Sequence, residues 1–259
     1  MRGAYRLLRF SHDYPDRRVR LDVWRVTSFE GVPASCEGQN LAWVPPTELP
    51  RWRLLPADVP IFASLQLPPL MLVTPNPVDT ADFLPKLRRN LQAGIDLVQL
   101  RAPGTTLDEL EPLARQAVAA CREYGARLVL NAQPGWAQVF GADGVHLSQQ
   151  QLRTGIAATC ERNGMSLGIS CHDAAEIETA LACRPDYLIL GPVGTTATHP
   201  DAKGLGWEEF ARLATLSSVP VYAIGGLGLE DLDDARRYGA HGVAAIRALW
   251  GRDQLSSLS

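Results

Sequence analysis

From Leu70 onward, short β-rich apolar runs alternate with stretches whose apolar residues recur at helical spacing, the pattern of βα units that feed a parallel sheet. The pattern predicts strands at 70–74, 96–101, 127–131, 144–147, 166–171, 186–190, 219–224 and 242–246. Helices are expected at 82–91, 107–121 behind Thr105-Thr106, 174–182 behind Asp173, 207–216 and 229–238. The fourth unit is the least regular, because 148–159 opens on a run of glutamines. Strand interiors such as Leu128-Val129-Leu130 are apolar on both faces, as they are when helices cover the outside and side-chain layers fill the middle. Eight evenly spaced units favour closure over an open doubly wound sheet. The expected fold class is therefore α/β, a TIM (β/α)8 barrel.

The first 65 residues carry a different pattern. Residues 5–14, 17–28 and 41–44 alternate as antiparallel strands do, with Pro15-Asp16 and Glu30-Gly31 as punctuation. Val19, Leu21 and Val23, with Trp24 and Trp43, read as the apolar side of a half-buried sheet. The domain expectation is a partial antiparallel β unit at 1–65, a linker at 66–69 containing Pro68-Pro69, and the barrel at 70–259.

Composition narrows the partners. A formal net charge of -3 gives no electrostatic reason for nucleic acid or an anionic membrane as partner. The five cysteines show neither C-x-x-C spacing nor a dense disulfide framework, which points to a reducing cytoplasm. The longest apolar stretch, 65–73, is interrupted by Gln66, Pro68 and Pro69, so no targeting or membrane-spanning segment is expected. A homo-oligomer stays open.

Candidate chemistry gathers at the carboxyl ends of the predicted barrel strands. Ala223-Ile224-Gly225-Gly226-Leu227 places two glycines after the seventh strand, and Ala244-Ala245-Ile246-Arg247 ends the eighth. Bare backbone N–H groups there suit a phosphate. Strand two ends Val98-Gln99-Leu100-Arg101, and period-two alternation sets Gln99 and Arg101 on one face at the mouth. An anionic ligand and an internal ion pair account equally well for Arg101. Asn131 ends strand three as a polar residue or a turn former. For His146 hydrogen-bonded packing is favoured, whereas His172, just past strand five and ahead of an acidic helix start, suits proton transfer. The long Gly- and Thr-rich loop 191–206, with Thr196, Thr198 and His199, reads as a ligand clamp or a surface loop.

Taken in order, the segments 98–101, 142–147, 167–172, 186–193 and 219–227 resemble the thiamin phosphate synthase and thiazole tautomerase family, over Leu70 to about Trp250. The resemblance implies a TIM barrel that binds a thiazole phosphate, with Thr196, Thr198, Gly225, Gly226 and the Ile246-Arg247 backbone at its phosphate or thiazole end. It implies Gln99, Arg101 and Asn131 at the pyrimidine diphosphate end, and His172 as the acid or base of the tautomerase branch. The chain departs from the synthase pattern at four positions. Pro103 and His199 stand where lysines are expected, and Ala132 and Gln151 stand where two aspartates hold magnesium. Magnesium needs hard anionic oxygens. The expected cofactor is thus none, with magnesium only if synthase activity is retained.

Residues 10–17, 29–33, 37–39, 43–44 and 55–61 resemble the carboxyl-terminal half of a MutT-like Nudix hydrolase. The catalytic Nudix box is absent from the sequence, and Asp58 replaces an asparagine that contacts the base in such enzymes, so no pyrophosphohydrolase activity is expected. A chain shortened from a longer two-domain protein is the expectation. Three functional readings result: a metal-independent thiazole tautomerase-like or degenerate synthase barrel; a thiamin phosphate synthase joining thiazole phosphate to pyrimidine diphosphate; and a non-catalytic phosphate-ligand binder attached to a nucleotide hydrolase.

Overall fold

Eight parallel strands close on one another in the computed structural model, which describes residues 3–46, 48–79, 81–156, 162–195 and 204–250. An antiparallel hairpin precedes them, β1 (Gly3–Asp13) and β2 (Arg18–Ser28), followed by a short helix α1 (Val59–Gln66). The barrel strands are β3 (Leu70–Val73), β4 (Leu97–Arg101), β5 (Arg127–Asn131), β6 (Gly144–Leu147), β7 (Ser166–Cys171), β8 (Tyr187–Leu190), β9 (Val221–Ile224) and β10 (Gly242–Ala245). Each pairs with its sequence neighbours, and β10 closes onto β3 through Val243 opposite Leu70. The outer helices are α2 (Phe83–Gln92), α3 (Leu107–Glu123), α4 (Pro134–Phe140), α5 (Gln149–Arg153), α6 (Ala174–Ala182), α7 (Gly206–Ala214), α8 (Leu232–Arg237) and α9 (Arg247–Trp250).

Two apolar shells follow from the pleat. Leu70, Leu72, Val98, Leu100, Leu128 and Leu130 point outward and pack beneath the helices. Met71, Val73, Leu97, Val129, Tyr187 and Tyr222 point inward and fill the barrel. Period-two alternation then commits the next inward positions, Gln99, Arg101, Asn131, His146 and Ser170, to the upper interior and mouth. The eight predicted barrel strands all form. The pattern missed α4, although Pro134 at its start and Gly141, with φ of 72° at its end, are ordinary helix signals.

The floor of the barrel is built partly from the N-terminal segment. Successive carbonyls of 66–68 accept bonds from inward-facing residues: Gln66 from Arg127 Nη2 at 2.7 Å, Leu67 from His241 Nε2 at 2.9 Å, and Pro68 from the Tyr222 hydroxyl at 2.5 Å. These carbonyls lie at and just beyond the C-terminus of α1, where a helix leaves acceptors unpaired. The hairpin adds Leu7, Leu8 and Phe10, each at least nine-tenths buried, aided by a register shift between Arg6 and Leu8. Leu7 and Leu8 line a cavity with Ala211, Ala214, Val219 and Pro220 of the barrel.

Two N-terminal expectations need correction. Residues 41–44 form no strand, so among the described residues the sheet has two strands. Trp24 and Trp43 do not share a half-buried face: Trp43 is 80% exposed and stacks on Phe29 at 6.1 Å, while Trp24 lies under the Arg6 guanidinium. Without a third strand, the second face of the hairpin faces solvent, and its aromatic residues find only local partners.

Candidate functional site

The mouth of the barrel is organised by β4 to β7. Arg101 lies opposite Asn131 in register, and its backbone N–H donates to Thr74 Oγ1 at 3.1 Å. The half-buried Arg101 guanidinium has no carboxylate partner among the described residues, so the internal ion pair, one of the two accounts of this residue, is not found there. Gln99 sits one layer deeper than a mouth position. It is 3% exposed, and its Nε2 has no hydrogen-bond partner among the described residues. A buried amide in this state is uncommon, because an unmet donor forfeits its hydration. Asn131 Nδ2 donates to the His146 carbonyl at 2.9 Å, which ties β5 to β6.

His146 packs as the sequence suggested. Its ring stacks near Tyr187, with Nδ1 3.3 Å from the Tyr187 hydroxyl and Nε2 2.8 Å from Ser170 Oγ. Burial pushes its pKa down to about 3, so the imidazole is neutral and serves the barrel interior.

His172 stands just past β7, with its side chain 43% exposed. The head of α6 holds it: Asp173 caps the helix by accepting from Glu176 N–H at 2.9 Å, and Glu176 turns back beneath the histidine. Glu176 Oε2 accepts the His172 backbone N–H at 2.9 Å and lies 3.0 Å from His172 Nδ1. Its Oε1 meets Gln149 Nε2 and, at 3.0 Å, Arg153 Nη2, both from α5. Burial raises the carboxyl pKa of Glu176, but these donors outweigh it, and the group lies below the ordinary carboxylate range. Sequence reasoning missed Glu176. Its position four residues after His172, on a helix with an acidic cap, was the available signal.

On the opposite side of the mouth, the loops after β8 and β9 are knitted together. Val193 N–H donates to the Ile224 carbonyl at 2.8 Å and Gly194 N–H to Gly225 at 3.0 Å, while Leu205 and Gly206 return to Pro192 and Val193. Gly225 has φ of 113°, and a Cβ there would lie 2.6 Å from the Pro192 backbone, so glycine is required. The N–H groups of Gly226 and Ile246 meet no acceptor among the described residues, whereas the pairing of Ala244 with Ile224 turns the Gly225 N–H toward β10. Arg247 begins α9 and is exposed. Thr196, Thr198 and His199 lie outside the described residues.

The two positions that the resemblance assigned to magnesium are brought together, with different chemistry. Gln151 Nε2 donates to the Ala132 carbonyl at 2.6 Å, and its Oε1 accepts from the Ser148 N–H at 2.9 Å. Both ends of the amide are thus engaged in protein bonds, and neither position offers a carboxylate. Among the described residues no three His, Cys, Asp or Glu side chains cluster as a metal site. This donor set does not fit magnesium.

The model for thiamine monophosphate synthase matches residues 70–249. The chain belongs to the thiamine monophosphate synthase family. Similar relatives include a thiamine-phosphate synthase of an Enterobacter species, 38% identical over 166 residues that cover 63% of this chain and 78% of the relative. A thiamine-phosphate synthase of Parasynechococcus marenigrum is 35% identical over 187 residues, covering 69% of this chain. The match spans 53% of that relative, about half its length. Among solved structures, the thiamine phosphate pyrophosphorylase from Pyrococcus furiosus shares the fold, with a TM-score of 0.59 at 24% identity, covering 71% of this chain and 87% of that one. Among the described residues no helix is long and apolar enough to cross a membrane.

Proposed function

We propose that this member of the family binds a thiazole phosphate at its mouth and acts on it by metal-independent proton transfer, in the manner of the tautomerase branch. The Gly225-Gly226 turn, with the N–H groups of Gly226 and Ile246 that meet no acceptor among the described residues and with Thr196 and Thr198 from the neighbouring loop, is the proposed phosphate cradle. His172 is the proposed acid–base group. It would take a proton from one ring position and return one to another, so the double bond shifts and no atom is lost or gained. The observation that carries the metal-free part is the Gln151 to Ala132 hydrogen bond where magnesium carboxylates would stand.

Synthase chemistry is the second reading. It is favoured by the names of the relatives, by Gln99, whose Nε2 has no partner among the described residues, and by Arg101, which has no carboxylate partner among them, where a pyrimidine diphosphate would lie. There a C–N bond would form as the C–O bond to diphosphate breaks. The leaving charge would depend on Arg101 and His199 without magnesium carboxylates. For residues 66–69 we propose a floor-closing role for the barrel; the Nudix-like reading of residues 1–65 rests on sequence resemblance alone. Calorimetry with thiazole carboxylate phosphate in EDTA, followed by proton-exchange and condensation assays, tests the proposal. Metal-independent binding with ring-proton exchange supports the first reading. Diphosphate release from both substrates, dependent on magnesium, would replace it with the second.

A further inference from the structure

We propose that Glu176 is the positioning residue that fixes the tautomer of His172 and leaves its Nε2 as the working nitrogen. This rests on the proton-transfer reading of His172, but its central claim is structural and can be read separately. The Glu176 carboxylate is 7% exposed and receives four donors: the His172 backbone N–H, Gln149, Arg153 and the His172 ring. An ionised carboxylate can only accept, so the ring atom 3.0 Å from Oε2 must be the one that carries hydrogen. Neutral His172 therefore holds its proton on Nδ1 and presents a lone pair on Nε2.

Three further features make this arrangement rigid. Both carboxylate oxygens are occupied, so the group cannot rotate without breaking bonds to α5. The backbone bond from His172 N–H to the same Oε2 fixes the main chain from which the ring projects. The Asp173 cap holds the first turn of α6, which carries Glu176. The charged groups facing the pair are Arg153 from α5 and Asp173 from its own turn.

The test uses the full chain and two substitutions. Glu176→Met keeps the length of the side chain and removes its acceptors, while Glu176→Gln keeps one acceptor and removes the charge. Ring 15N spectra, with the His172 signals assigned through His172→Gln, report the tautomer without requiring activity. The wild type should show the Nδ1–H form, Glu176→Met a shift toward the Nε2–H form, and Glu176→Gln retention of most of the Nδ1–H population. In the tautomerisation assay Glu176→Met should lower kcat about 10- to 100-fold with KM little changed, as loss of an orienting partner does, and Glu176→Gln should recover most of that loss. An unchanged Nδ1–H tautomer in Glu176→Met overturns the proposal. If His172→Gln retains full turnover, the proton-transfer reading fails instead, and the tautomer result still decides the role of Glu176.

Discussion

Replacing Arg101 by alanine separates a ligand role from a structural one, because the two predict opposite outcomes. The guanidinium is half-buried at the mouth and has no acid partner among the described residues, so its removal breaks no ion pair there. The bond from residue 101 to Thr74 is made by the backbone N–H and survives the substitution. The stability of the ligand-free protein should therefore change by no more than about 0.5 kcal/mol. A bound phosphate or carboxylate would lose a charge-assisted hydrogen bond worth about 1.5–3 kcal/mol. At about 1.4 kcal/mol per decade this corresponds to roughly 10- to 150-fold weaker binding. Calorimetric titration with thiazole carboxylate phosphate and with a pyrimidine diphosphate, alongside urea unfolding, measures both quantities. Arg115→Ala is the control, since Arg115 forms an exposed pair with Glu111 on α3 and should leave affinity untouched. Wild-type affinity of Arg101→Ala for both ligands would remove Arg101 from the site. A loss of stability exceeding the loss of affinity would mean that its role is structural.

Three other outcomes follow from the interior and the mouth. Gly168→Ala should cost about 1–3 kcal/mol, because a Cβ there meets the Tyr187 ring, and that ring is itself confined by Tyr222 and His146; urea unfolding with a midpoint equal to wild type would contradict this. Burial lowers the pKa of His146 to about 3 and of His241 to about 4, so both are neutral when folded and titrate near 6.5 when unfolded. Their contribution is complete above pH 6.5 and is lost as pH falls toward 4 and 3, at up to about 1.4 kcal/mol per unit for each histidine; His146→Asn should show a shallower slope than wild type between pH 6.5 and 4.5. Ligand affinity should be the same in EDTA and in magnesium, whereas the pair Ala132→Asp with Gln151→Asp should create a magnesium response; a magnesium-dependent wild type would show that another donor set holds the ion.

The barrel was legible because its two periodicities are unmixed. Each strand is short, apolar on both faces and followed by a helix, and that combination leaves few alternatives. The alternation of Val98-Gln99-Leu100-Arg101 placed Gln99 correctly on the inward face, although its depth depends on the barrel stagger, which no local pattern encodes. Glu176 escaped notice because its meaning depends on Gln149 and Arg153, which reach it across 27 and 23 residues. The N-terminal segment was the least legible. Alternation at 41–44 is a property of four residues, and a strand also requires an edge to pair with.

The same non-local logic governs how residues 66–69 meet the barrel floor. Tyr222 and His241 are buried polar groups at the floor that would lose their hydrogen bonds without an acceptor, and half-buried Arg127 stands beside them. Three consecutive carbonyls, from Gln66 to Pro68, supply those acceptors. The Pro69 carbonyl then receives Val243 N–H at 2.9 Å, where β10 closes onto β3. Tyr222 stacks edge-on to Tyr187, and Tyr187 hydrogen-bonds His146, which in turn holds Ser170 just below the mouth. One contiguous column of polar rings thus runs from the floor carbonyls to Ser170. Residues 66–69 close the foot of that column.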